Sequence, residues 1–223
     1  MSNKNLVNYV KKKNKLLSEH RFGSLQVIIK DHIKNDVDLE YVFNKFNNII
    51  PDHFTDLIDI IYVGHFDFFD KKNINALFLD GAIYVSNDQD DNNDLLDDLV
   101  HELAHAVENK YGDFIYSDGV IEDEFLSKRE KLRKILRDRD YDTNRYNFYK
   151  TEYDDQFDLF LYDEVGYDSL RLLSVDLFVN SYAPTSLREY FASGFEEFYL
   201  GDKLYLRDIS NYIYKKLMIL HEG

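Results

Sequence analysis

The residues best suited to chemistry in this chain are His101-Glu102-Leu103-Ala104-His105. On a helix, two residues four apart lie within roughly 40° of each other and one turn apart, so both imidazoles can grip one metal ion. Glu102 projects to the side, where its carboxylate can reach a metal-bound water without becoming a ligand. That division of labour is the HExxH pattern of zinc peptidases, and the expected cofactor is a single Zn2+. The plain alternative is a pair of ordinary surface histidines.

A catalytic zinc of this kind takes three protein ligands and keeps a fourth place for water. Lys110 and Tyr111 stand where a longer HExxHxxGxxH motif would approach its third histidine, so a carboxylate from a later helix is expected instead. Glu189, Glu196 and Glu197 are the candidates on an aromatic helical pattern. Glu189 has small residues, Ala192 and Ser193, on its own face, which would let that helix approach the His101/His105 helix closely. Ser186-Leu187-Arg188-Glu189 fits a capping box equally well, in which Glu189 only closes the helix start. Both readings stand on the pattern.

Two segments resemble a known family, the catalytic domain of anthrax lethal factor and the bacterial Pro-Pro endopeptidases. The first is His101 to Val107, similar to that family's zinc helix. The second is Glu189-Tyr190-Phe191-Ala192-Ser193-Gly194-Phe195, similar to a helix whose first Glu binds zinc. Tyr182 occupies the place of a family tyrosine, seven residues before that Glu, which steadies the reacting carbonyl oxygen. The resemblance implies His101, His105 and Glu189 as metal ligands, Glu102 as base and Tyr182 as electrophilic helper. Ser193 stands where lethal factor has a second Glu, and the gap from His105 to Glu189 is longer than the family's, which implies an inserted segment over roughly residues 113–179.

The elements that must position these residues read as follows. A basic helix is expected around Asn5 to Leu17, a strand at Leu25 to Lys30, a helix from Asp38 to Ile49 and a buried strand at Ile58 to Val63. Ala76 to Leu79 and Ala82 to Val85 flank Asp80-Gly81, a strong hairpin signal. The motif helix runs from about Asn93 to Lys110, with Leu95, Leu96, Leu99, Val100, Leu103 and Val107 at helical spacing before Gly112. Asn87 to Asp94 has the spacing of a calcium loop at its start, but Leu99 stands where the bidentate Glu is needed, so a solvated capping loop is expected. Val120 to Arg139 reads as helix, residues 140–168 give no clear pattern, and helices return at Leu187 to Leu200 and about Ile209 to Leu220. The fold class is α+β: a zincin-like small twisted mixed sheet with an active-site helix, then a mostly helical C-terminal lobe. One domain, 1–223, is expected, comprising an N-terminal lobe (1–112), the inserted segment (113–179) and a C-terminal lobe (180–223).

The 223 residues carry a net charge of -15, which repels a phosphate backbone and argues against nucleic acid as a partner. An extended peptide or protein substrate is expected, adding as a strand along Ala82, Ile83, Tyr84 and Val85. The apolar runs are too short to cross a bilayer, no uninterrupted apolar segment follows the basic start, and there are 0 Cys, so a soluble protein is expected, in the cytoplasm or exported by another route. The function expected is zinc endopeptidase; the alternative is a zincin-like binding or structural protein without useful turnover.

Overall fold

The computed structural model describes residues 18–33, 36–72 and 74–223, so the basic helix expected near Asn5 to Leu17 lies outside the described residues. The fold is α+β, with one mixed five-stranded sheet and many helices. Two compact units divide the chain, one up to Leu103 and one from Ala104 to Gly223. The division falls inside one continuous helix, Asn92–Tyr116, called the motif helix below.

The first unit holds the sheet: β1 (Ser18–Phe22), β2 (Leu25–Ile29), β3 (Ile60–Val63), β4 (Ala76–Leu79) and β5 (Ala82–Val85), in the order β1-β2-β3-β5-β4. β2 and β5 run parallel to β3, while β1 and β4 are antiparallel to their neighbours. Each antiparallel pair is a tight hairpin. β4 and β5 turn through Asp80 (φ 49°) and Gly81 (φ 79°), two successive left-handed residues that match the twist of the strands. The left-handed backbone at Gly81 favours glycine, and a Cβ there would also push the Asp59 carboxylate aside. The parallel pairing of β2 with β3 needs a crossover, and the helix Leu39–Ile49, capped by the Asp38 side chain on the Tyr41 N–H, provides it. β1 had no sequence expectation; its residues, SEHRF, are mostly polar because the strand is largely exposed.

Both faces of the central strands are covered. Ile61, Val63, Ile83 and Val85 share one buried face, while Tyr84 and Ala82 on the other pack with Phe66, Phe68 and Phe69. This corrects one expectation. β5 is hydrogen-bonded to β3 on one side and to β4 on the other, so the backbone of Ala82, Ile83, Tyr84 and Val85 has no free edge for a substrate strand. Among the described residues, β4 is the edge on that side.

In the second unit the motif helix continues through Gly112 to Tyr116, longer than expected, because an isolated helical glycine costs only about 1 kcal/mol. The helix Val120–Arg137 follows, matching the expected one within two residues. Its Arg129 is 1% exposed and organises the segment that sequence patterns left unassigned. The guanidinium donates to the carbonyls of Lys150 and Asn147 and lies 3.9 Å from the ring centroid of Phe157. Residues 155–173 form short helices, with a wide π-helical turn at Phe160–Val165. The helix Leu187–Leu200 packs on the helix Asn211–Glu222, and Gly194 makes this possible, since a Cβ there would meet Ile213 at 2.7 Å.

Candidate metal centre

Asp91 starts the motif helix by accepting the N–H groups of Asn93 and Asp94, so the acidic stretch before it behaves as a capping loop. Leu95, Leu96, Leu99, Val100, Leu103, Ala104 and Val107 are buried along one stripe. That burial orients the rest of the helix, and His101, Glu102 and His105 fall together on it. Their ligand atoms all lie within 4.8 Å of one another, a group able to hold a metal ion. Glu102 and His105 are 7% and 6% exposed, which is unusual for polar residues without a task.

The Glu102 carboxylate is fixed from the sheet. Its Oε2 accepts the N–H of Phe78 at 2.5 Å, and Phe78 lies on the edge strand β4 with that N–H turned away from β5. One helical turn before, Asp98 accepts a hydrogen bond from Gln89 at 2.9 Å. Burial, aided by the charges of Asp94 and Glu102, pushes the Asp98 carboxyl up to about 7, against the pull of the Gln89 hydrogen bond and of His101.

Within the second unit, His105 Nε2 lies 3.8 Å from Oε2 of Glu189. Glu189 sits in the first turn of the helix Leu187–Leu200, where Ser186 Oγ accepts the Glu189 N–H. Ser186 therefore does cap this helix, as one reading of the pattern held, and the Glu189 carboxylate still stands beside His105. Ala192 and Ser193 are buried. Glu197 accepts the Asp202 N–H at the other end of the helix.

The far nitrogen of His105 has partners that the sequence reading missed. Arg188 Nε donates to Nδ1 of His105 at 3.1 Å and to Oε2 of Glu108 at 2.8 Å, and that Oε2 lies 3.6 Å from Nδ1. Tyr116 donates to the other Glu108 oxygen at 2.6 Å, and burial together with the Glu108 charge pushes its phenol far up, so it stays a donor. The signal for Glu108 was available, because it lies one turn beyond His105 on the same face. Arg188 carried no signal beyond its place inside the capping box.

Tyr182 is held by its own turn. Asn180 Oδ1 accepts the N–H groups of Tyr182 and Ala183, and the Thr185 hydroxyl donates to the Tyr182 carbonyl. Ser193 donates to the same Asn180 oxygen at 3.2 Å, which ties this turn to the helix of Glu189. Burial first, then the charge of Glu189, raises the Tyr182 phenol well above its ordinary value, so it keeps its proton.

Among the described residues, no helix is long and apolar enough to cross a membrane. Neither a family model, nor a curated protein, nor a solved structure matches this chain.

Proposed function

We propose that this chain is a zinc-dependent endopeptidase of zincin type, with His101, His105 and Glu189 as ligands. The observation that carries the reading is the approach of the Glu189 carboxylate to His105 Nε2, from a helix far away in sequence. Two donors on one tetrahedral zinc stand roughly 3.4 Å apart, so the 3.8 Å between these atoms is near ligand spacing for this pair, while the group already gathered within 4.8 Å is His101, Glu102 and His105. Two imidazoles and one carboxylate are also the donor set that borderline-soft zinc takes in catalytic sites.

Bound there, zinc would polarise the scissile carbonyl and lower the pKa of a water toward about 7. The remaining work belongs to side chains. Glu102 takes the proton of the attacking water and passes it to the leaving amine. Its hydrogen bond from Phe78 holds the carboxylate at one orientation for both transfers. Tyr182, kept protonated by burial, donates a hydrogen bond to the developing oxyanion. An extended peptide substrate would pair along the outer edge of β4 in place of β5, at positions other than Phe78, whose outward N–H is taken by Glu102.

The test is metal analysis of the purified protein, then digestion of a mixed peptide library with a chelator control and a Glu102→Gln variant. One bound zinc per chain, with cleavage lost to chelator and to Glu102→Gln, is the expected result. Cleavage by a zinc-loaded Glu102→Gln protein would refute the mechanism. Zinc bound without any cleavage would leave the binding or structural reading.

A further inference from the structure

We propose that Tyr153, Asp158 and Tyr167 form a subsite beside Tyr182 that takes a lysine or arginine side chain of the substrate; this rests on the peptidase reading above. All these residues lie in one compact unit. Both oxygens of Asp158 are engaged by phenols, Oδ2 by Tyr153 at 2.5 Å and Oδ1 by Tyr167 at 3.0 Å. Phenol O–H groups are neutral donors, so the carboxylate is held in place without being neutralised, and each oxygen retains capacity for a further donor. Among the described residues no lysine, arginine or histidine forms an ion pair with Asp158.

The local fold explains the arrangement. Asp154 caps the short helix Asp155–Leu159 through the Gln156 and Phe157 N–H groups, and Phe157 is buried against Arg129. Asp158 follows on the side turned to Tyr153, which is 45% exposed. Tyr167 then connects this carboxylate to the reaction centre, its ring 6.5 Å from the Tyr182 ring in an edge-on contact. Tyr162, 53% exposed, meets Tyr167 from the outside at 5.2 Å. Tyr182 feels the charges of both Glu189 and Asp158, and Tyr153 feels that of Glu189, which places the group in the electrostatic neighbourhood of the metal-ligand candidate.

A fixed carboxylate at the end of exposed aromatic rings is a receptor for one kind of side chain. The methylene stem of lysine or arginine packs on the rings, and its cationic head meets both the ring faces and the carboxylate. An acidic side chain would be repelled, and an aliphatic one would leave the carboxylate desolvated without a partner.

The test uses the full chain, zinc-loaded, and a mixed peptide library read by mass spectrometry. Cleavage sites should show lysine or arginine enriched at one fixed position from the cut bond. Asp158→Asn should abolish that enrichment, and Asp158→Lys should replace it with aspartate or glutamate at the same position. The same enrichment in Asp158→Asn would overturn the proposal, as would cleavage by the unaltered protein without any such enrichment. A binding measurement separates this from the peptidase reading. Two fluorescein-labelled alanine decapeptides, one with a central lysine and one with norleucine there, are titrated with the Glu102→Gln protein. The lysine peptide should bind about three- to tenfold more tightly, with the difference lost in the Glu102→Gln, Asp158→Asn double variant. A preference for lysine without any library cleavage would sink the peptidase reading and leave the subsite. No difference between the peptides, whether both bind or neither, overturns the subsite. Melting temperatures of the variants check the fold, and Tyr153→Phe, which removes one hydrogen bond and no charge, should retain the preference in weakened form.

Discussion

Replacing Glu108 by Gln should weaken zinc binding without touching a ligand. An imidazole that gives Nε2 to a metal carries its proton on Nδ1, and that N–H needs an acceptor. Around Nδ1 of His105 stand Glu108 Oε2 at 3.6 Å and Arg188 Nε at 3.1 Å, and only the carboxylate can accept. The metal-free arrangement, with Arg188 donating to Nδ1, therefore belongs to the other tautomer, and zinc binding requires Nδ1 to be handed over to Glu108. Glu108 is held for this by Tyr116, and is 12% exposed. A hydrogen bond to a charged acceptor contributes about 1.5–3 kcal/mol and a neutral one about 1. The substitution should then cost about 1–2 kcal/mol, or roughly five- to thirtyfold in zinc affinity, in line with other outer-shell partners of metal-bound histidines. Competition with a chromogenic chelator at neutral pH measures it. Arg188→Gln supplies the control with the opposite expectation, because it removes both a competitor for Nδ1 and a cation beside the metal, and affinity should hold or rise. Zinc affinity within about twofold of the unaltered protein for Glu108→Gln, or a loss for Arg188→Gln as large as that for Glu108→Gln, would refute the handover.

Tyr182→Phe keeps the ring that meets Tyr167 and removes only the donor, so kcat on a cleaved peptide should fall about ten- to a hundredfold with little change in KM; an equal fall in a protein with unchanged kcat/KM would not fit. Asp98 is held near 7 by burial, against 3.8 for the free group, so between those values the unfolded chain has lost a proton that the folded one retains. Stability of the metal-free protein therefore falls as pH rises from about 4 to about 7, by up to ~4 kcal/mol from this group. Asp98→Asn should remove that slope, so urea unfolding at pH 4.5 and 7.5 should show the variant gaining on the unaltered protein; parallel pH curves would contradict the assignment. Gly194→Ala gains helix propensity of about 1 kcal/mol but drives a Cβ to 2.7 Å from Ile213, an overpacking cost of about 1–3 kcal/mol, so a net loss of about 1 kcal/mol in urea unfolding is expected.

The parts of this chain legible in its sequence are those whose physics is local. The Asp80-Gly81 turn, the helix that begins after Asp38 and the apolar stripe of the motif helix are each specified within a few residues, and each is where it was expected. The residues of the candidate site on that helix follow from the same helical geometry. Where the reading failed, the deciding interaction was long-range. β5 looked like an edge because it closes a hairpin, but its other side is taken by β3, a parallel pairing that no local pattern encodes. The unassigned stretch 140–168 is ordered by a buried guanidinium from another helix, which collects backbone carbonyls at Asn147 and Lys150 that no periodicity could reveal.

The same contrast bears on how the site is built. Helical spacing is enough to bring two imidazoles together, and that is why the motif is visible. What turns a pair of imidazoles into a specific ligand set is the orientation of each ring, and here orientation is imposed by residues with no motif of their own: Glu108 and Arg188 at Nδ1 of His105, the Phe78 N–H at Glu102, Asn180 beneath Tyr182. Ser193 illustrates the point, since it is no candidate ligand yet donates to the Asn180 oxygen that fixes the Tyr182 turn. Removing that hydroxyl with Ser193→Ala leaves every candidate ligand and the base in place. If orientation is as important as composition, the variant should bind zinc as before and lose part of the Tyr182 contribution, a fall in kcat of about two- to tenfold that vanishes in a Tyr182→Phe background. Additive effects of the two substitutions would show that Ser193 acts elsewhere.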